Sequence, residues 1–179
     1  EPVLYVIEPK VDGIAVSLVF ENGRLSRVVT RGNGREGDDI TANVSRLVHL
    51  PGELPGSPNE LPRRVELRGE LYCSVAEFER INEARASDGL PAFAHPRNLA
   101  AGTAKSRDPE ALSERRLDLV VFDWGTWQPE SGAPRSLREF RERVRGWGLP
   151  VCESSRTAQD DESLVAAVAA LEYERTELP

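Results

Sequence analysis

The stretch Ile14-Ala-Val-Ser-Leu-Val-Phe-Glu-Asn-Gly-Arg-Leu-Ser-Arg-Val-Val-Thr-Arg31 decides the fold. Ile14, Val16, Leu18 and Phe20 recur at a period of two, the mark of a strand with one buried face. Asn22-Gly23 supplies the positive φ angles of a tight hairpin, and residues 25–31 form the returning strand. Working outward, residues 3–7 read as an earlier β-branched strand, and residues 65–72 and 117–122 as later ones. Four prolines between positions 51 and 62 mark a surface loop. Ser74-Val-Ala-Glu77 is a capping box that opens a helix with Val75, Phe78 and Ile81 on one face. Ser136-Leu-Arg-Glu139 opens another, with Leu137, Phe140, Val144 and Trp147 inward and Gly148 and Pro150 as its stop. A last helix begins near Asp160 and buries Leu164, Val168 and Leu171. Hairpins mixed with irregularly placed helices predict an α+β protein: antiparallel sheets with flanking helices, not a repeating βαβ fold.

Composition bounds the function. The 179 residues are 39% hydrophobic and 30% charged, enough to bury a core, and no apolar run approaches a membrane span. Two cysteines, Cys73 and Cys152, cannot make a disulfide framework or a four-thiolate zinc site, which points to a cytosolic compartment. They read as small apolar residues, and the lone His49 beside the proline-rich loop reads as structural. There is no methionine, even at position 1, so the chain is expected to be a piece of a longer protein. Net charge is −7, and residues 151–179, with seven acids and two arginines, carry −5 of it. A near-neutral body with an acidic end does not advertise nucleic-acid binding, although a local basic patch is compatible with it.

Gly32-Asn-Gly34-Arg-Glu-Gly37 matches G-x-G-x-x-G directly after a strand. A dinucleotide fingerprint also needs a full crossover helix and a second strand ending in an acid. Here the helix, residues 40–46, is barely two turns and a proline-rich loop follows. A Rossmann domain is therefore not expected.

Of 23 basic residues only Lys10 and Lys105 are lysine. Arginine matches lysine in charge but cannot lose its proton in a protein; lysine can, and then becomes a nucleophile. Lys10 sits in Glu8-Pro-Lys-Val-Asp-Gly13, between two strands, where glycine permits close backbone approach. Strand alternation would place Glu8 and Lys10 on one face.

Lys10-Val-Asp-Gly13 resembles the K-x-D-G motif of the covalent nucleotidyltransferases: DNA ligases, RNA ligases and capping enzymes. Thr30-Arg-Gly-Asn-Gly-Arg-Glu-Gly-Asp-Asp-Ile-Thr-Ala-Asn43, Val65-Glu-Leu-Arg-Gly-Glu-Leu-Tyr72 and Ala94-His-Pro-Arg-Asn-Leu-Ala-Ala-Gly102 are similar, in order, to blocks of bacterial NAD-dependent DNA ligases. The resemblance implies an adenylation domain of the nucleotidyltransferase fold, occupying residues 1–179 and incomplete. The family's N-terminal nicotinamide-recognising part and later lysine motifs would lie outside it, with the OB, zinc, helix-hairpin-helix and BRCT parts.

In that family the lysine attacks the α-phosphate of NAD, releases nicotinamide mononucleotide and becomes adenylated. AMP then passes to the 5′-phosphate of a DNA nick, and the 3′-hydroxyl displaces it. The resemblance makes Lys10 the nucleophile. A free lysine is only about 0.1% neutral at pH 7.4, a deficit of roughly 4 kcal/mol, so the role asks for burial or nearby positive charge. It also implies adenine contact at Glu8, nucleotide contact at Arg31 and ribose contact at Glu70. Glu66 shares a strand face with Glu70 but lies outside the motif. An aromatic stacks on adenine: ungapped matching favours Phe122, with Trp124 on the same strand face as second choice. Asp12 is expected to shape the turn.

Arg97 and Lys105 match positions that bind DNA phosphates. The family usually has arginine where this chain has Lys105, and Arg107 is an alternative for that role. His95 replaces a usual asparagine. Implied cofactors are NAD and Mg²⁺, with Mn²⁺ as a substitute and Zn²⁺ confined to the part outside this chain. Implied partners are NAD and nicked double-stranded DNA, with no membrane, for a monomer acting in replication and repair in the bacterial cytoplasm and nucleoid. The fragment alone would be inactive. Two rivals are an ATP-dependent or RNA-acting ligase of the same superfamily, and a catalytically silent DNA-binding relative. The Arg31–Asn43 loop argues against the first, and the intact Glu8, Lys10, Arg31 and Glu70 set against the second.

Overall fold

The computed structural model describes residues 3–174, which divide into two compact units: residues 3–11 with 152–174, and residues 12–151. In the smaller unit, β1 (Tyr5–Ile7) pairs antiparallel with β6 (Arg156–Ala158), Val6 opposite Thr157. Helix α6 (Asp161–Glu174) follows, and Asp160 starts it by accepting the Ser163 N–H at 2.8 Å. Its buried residues are Ala167 and Leu171, whereas Val168 is exposed. Of the expected stripe Leu164, Val168 and Leu171, Leu171 is buried and Leu164 half-buried, and Ala167 takes the inward place expected of Val168.

The larger unit is built on a four-stranded antiparallel sheet ordered β3-β2-β4-β5. Its strands are β2 (Ile14–Glu21), β3 (Arg24–Thr30), β4 (Arg64–Tyr72) and β5 (Asp118–Gln128). Val16, Leu18 and Phe20 of β2 share one buried face with Val65, Leu67 and Leu71 of β4, as the period of two requires. Helices α1 (Thr41–Leu47), α2 (Val75–Ser87), α3 (Pro96–Ala104), α4 (Pro109–Glu114) and α5 (Leu137–Gly146) all contribute to the same cluster. Leu47, Ile81, Leu99, Leu112 and Phe140 are their buried anchors. The opposite sheet face, carrying Ser17, Glu66, Arg68 and Glu70, is left partly open. The α+β architecture with antiparallel sheets and flanking helices agrees with the sequence. Among the described residues no helix is long and apolar enough to cross a membrane.

Three local differences have physical causes. Strand β5 runs on from Phe122 to Gln128, because its pairing with β4 shifts twice, between Arg68 and Gly69 and between Val65 and Leu67. Asp123 and Gly125 look like strand breakers but are absorbed by these bulges. Helix α3 was not anticipated: Pro96 sits at its first turn and His95 accepts the Arg97 N–H, a cap that histidine seldom supplies. The α5 box forms, with Ser136 Oγ accepting the Glu139 N–H at 3.2 Å. The α2 box does not: Ser74 makes no cap bond, and Val75 is exposed. The Glu77 carboxylate instead accepts from Arg80 Nε at 2.6 Å and from the Arg116 N–H at 2.9 Å, joining α2 to the approach to β5.

The Arg80 guanidinium, first among the causes, holds the Glu77 carboxyl below its ordinary range. A lowered carboxyl pKa contributes stability at neutral pH that is lost as pH falls through the folded value. Glu77→Gln should therefore cost about 1–2 kcal/mol at neutral pH. In urea denaturation this deficit should shrink as the buffer drops below the carboxylate range.

Candidate functional site

The site begins where Asp12-Gly13 enters β2. A Cβ on Gly13 would lie 1.9 Å from the Leu71 carbonyl oxygen, so only glycine lets the two backbones come this close. The Gly13 N–H donates to Glu70 Oε1 at 3.1 Å, tying the motif to the open face of β4. The Asp12 carboxylate reaches across to α3. Arg97 Nη1 donates to its Oδ1 at 2.7 Å, and His95 Nε2 lies 4.0 Å from its Oδ2. This pair joins Asp12 to α3, a contact beyond the turn-shaping part expected of it.

The glycine-rich segment after β3 closes on itself. The Thr30 N–H donates to the Asp38 carbonyl across the loop base at 2.9 Å, and its Oγ1 accepts the Asp38 N–H at 2.9 Å. Asn33 Oδ1 accepts the N–H groups of Arg35 and Glu36, both at 2.9 Å. A Cβ on Gly37 would sit 1.8 Å from the Thr30 carbonyl oxygen. These glycines serve loop closure, so the dinucleotide motif is a coincidence of spacing, as the missing crossover indicated.

The loop and the open sheet face enclose a cleft of about 700 Å³ lined by Ser17, Arg31, Glu66, Arg68, Phe122 and Asp123 among others. Phe122 is exposed there. Trp124 is not on that face: it pairs with Leu67 and its ring lies 4.8 Å from that of Phe140, in the core. The bulge at Phe122 adds one residue to β5 and reverses the parity of the positions that follow it, as far as the second shift between Leu67 and Val65. Glu66 was passed over in the sequence for want of a motif. It lines the cleft and accepts from Ser17 Oγ at 2.8 Å; the alternation of β4 was the signal that could have found it.

A neighbouring concavity of about 440 Å³ is lined by Ile14, Ala15 and Thr30, by the loop at Gly32–Gly34, and by three cations: Arg31, Arg97 and Lys105. Residues read separately, one for nucleotide and two for DNA, therefore share one pocket. Lys105 Nζ pairs with Asp38 Oδ2 at 2.7 Å, and this bond, chief among the causes, holds the Asp38 carboxyl below its ordinary range. Among the described residues no carboxylate pairs with Arg31. Three cations around one concavity can take up phosphate oxygens.

The whole chain, residues 1–179, matches the family described as NAD-dependent DNA ligase adenylation domain. It belongs to that family. It is 46% identical over 169 residues to "DNA ligase 1" of Opitutus terrae, covering 94% of this chain and 25% of that protein. Over 176 residues it is 46% identical to "DNA ligase 2" of the same organism, covering 98% of this chain and 24% of that protein. "DNA ligase" of Phenylobacterium zucineum is 39% identical over 180 residues, covering 99% of the chain and 25% of that protein. The chain spans about a quarter of the length of these curated relatives.

In this adenylation domain the K-x-D-G motif straddles the two units. Lys10 and Glu8 belong to the smaller one, joined at Asp12 to the unit that holds the cleft. Strand β1 ends at Ile7, so Glu8 and Lys10 lie beyond it and strand alternation does not relate them, contrary to expectation. Glu8 is half-buried and Lys10 is exposed. Cys73 is buried, and burial pushes its thiol up to about 11, which leaves it unreactive at neutral pH; Cys152 is half-buried. His49 is exposed.

Gly13→Ala tests the approach on which the site is built. The added methyl cannot fit beside the Leu71 carbonyl without moving backbone. We expect a loss of about 1–3 kcal/mol in urea unfolding of the domain. An amide spectrum of the variant should show its largest shifts at Gly13 and along β4.

Proposed function

We propose that this domain carries the nucleotidyl-transfer chemistry of an NAD-dependent DNA ligase that seals nicks in duplex DNA. The observation that carries the proposal is the pocket shared by Arg31, Arg97 and Lys105, in a chain that keeps the lysine motif and is matched over its whole length by this family. Lys10 Nζ, as the neutral amine, attacks the α-phosphorus of NAD. The bond to the bridging oxygen breaks, nicotinamide mononucleotide leaves, and AMP remains on lysine through a P–N bond. The 5′-phosphate of the nick then takes the AMP, and attack by the 3′-hydroxyl releases it as the phosphodiester forms.

The residues divide this work by chemistry. Glu8 accepts from adenine, Phe122 stacks on its ring from the open sheet face, and Glu70 accepts from ribose hydroxyls with the oxygen that Gly13 leaves free. Arg31 faces the nucleotide phosphates, and Arg97 and Lys105 the phosphates flanking the nick. Among the described residues no cluster of three His, Cys, Asp or Glu could hold a metal ion. Mg²⁺ would offset the charge of the nucleotide phosphates, as this ion commonly does. The relatives' greater length leaves room for the nicotinamide-recognising, zinc and DNA-clamping parts, with the full protein a monomer acting on DNA in the cytoplasm.

Lys10→Arg in the full-length protein tests the nucleophile, because guanidinium keeps positive charge yet offers no lone pair to phosphorus. We expect the variant to fold and to form no AMP adduct with NAD by intact mass. It should still seal a nick already carrying 5′-adenylate, at least in part. An adduct mapped to Lys105 would overturn the assignment, and stronger labelling of the wild type by ATP than by NAD would overturn the cofactor. A parallel pair, Phe122→Ala and Trp124→Ala, separates base stacking from core packing. The first should raise the NAD concentration needed for adenylation with little change in unfolding midpoint. The second should lower the midpoint.

A further inference from the structure

Lys105 lines two concavities. The second, of about 490 Å³, has Arg46 and Arg107 as its other cations. Asn43 builds it: the amide donates to the Ala104 carbonyl at 2.9 Å and to the Ser106 carbonyl at 2.8 Å. These two bonds clamp the end of α3 and the chain after it onto α1. Arg46 lies three residues after Asn43 in α1 and so on the same side of the helix. Arg107 follows Ser106, whose Oγ accepts the Asp108 N–H at 3.1 Å and closes a local turn. The backbone bearing both arginines is thus held by named hydrogen bonds.

The charges around this concavity are not balanced. Asp38 is engaged by Lys105, and Asp39 accepts from the Thr41 N–H at 3.0 Å and Thr41 Oγ1 at 2.6 Å. Among the described residues neither Arg46 nor Arg107 has an ion-pair partner. Two unneutralised guanidinium forks on a fixed frame suit phosphate oxygens, which they can meet bidentately.

We propose that Arg46 and Arg107 form a phosphate-binding site for the DNA backbone, next along the strand from the phosphates met by Arg97 and Lys105. It rests on the DNA-ligase reading above. A DNA strand carries a phosphate about every 3.4 Å of helix axis, so a strand engaged at Lys105 continues into whatever surface adjoins it. Lys105 belongs to both concavities, and the cationic lining passes through it from Arg31 and Arg97 to Arg46 and Arg107. Contacts of this kind position the duplex and are blind to its sequence.

The test is equilibrium binding of the full-length protein to nicked duplex between about 50 and 200 mM salt. Each phosphate contact adds about 0.9 to the slope of log affinity against log salt. The double variant Arg46→Gln, Arg107→Gln should lose about 1.8 from that slope, so its affinity falls roughly 12-fold less across the range than that of the wild type. The double variant Arg46→Lys, Arg107→Lys keeps both charges and should retain the slope. An unchanged slope in the glutamine variant would overturn the site. So would lysine variants whose slope falls as far as that of the glutamine ones, since they keep both charges. A wild-type protein with no salt-dependent binding to nicked duplex would instead refute the ligase reading itself.

Discussion

The approach of Gly13 to the carbonyl of Leu71 is the constraint from which the site follows. Without a Cβ at that position the chain lies against β4 closely enough for the Gly13 N–H to reach Glu70 at 3.1 Å. Strand β4 then has two tasks on its two faces. Val65, Leu67 and Leu71 are sealed in the core, and Glu66, Arg68 and Glu70 stand on the open side. A slip of one residue would exchange the two sets, and the fully buried leucines oppose it. Core packing and site geometry are the same fact seen from opposite sides of one strand.

The electrostatics show how an acidic protein of net charge −7 can present a surface for phosphate. Arg97 pairs with Asp12 and Lys105 with Asp38, both at 2.7 Å and both about half exposed. Pairs so open to water contribute little stability, about 0–1 kcal/mol. They orient the cations without holding them tightly, and a phosphate carrying more charge than one carboxylate can compete for them. The Asp12 pair also places Arg97 of α3 in contact with the aspartate of the lysine motif.

Legibility in the sequence followed the range of the interactions. The hairpin of β2 and β3, strand β4 and the α5 capping box were readable because each is set by residues a few positions apart. The α2 box misled for the same reason: Ser74 and Glu77 have the right spacing, but Glu77 is claimed by Arg80 and by the distant Arg116 N–H. Helix α3 escaped notice because its cap is a histidine. Glu66 was visible only as a position on a strand face, without a motif to mark it.

The sequence by itself determined the α+β class, the family through its ordered motif blocks, and Lys10 as the nucleophile candidate. All of these depend on residue identity and spacing along the chain. Only the tertiary structure decided that Trp124 belongs to the core and Phe122 to the cleft, since a bulge reverses strand parity and the pairing partner sets the bulge. It alone decided that Arg31, Arg97 and Lys105 border one pocket, and that Asp12 meets Arg97 across 85 positions of chain. Charges so far apart in sequence carry no local signature, because packing of the elements between them, not their spacing, brings them into contact.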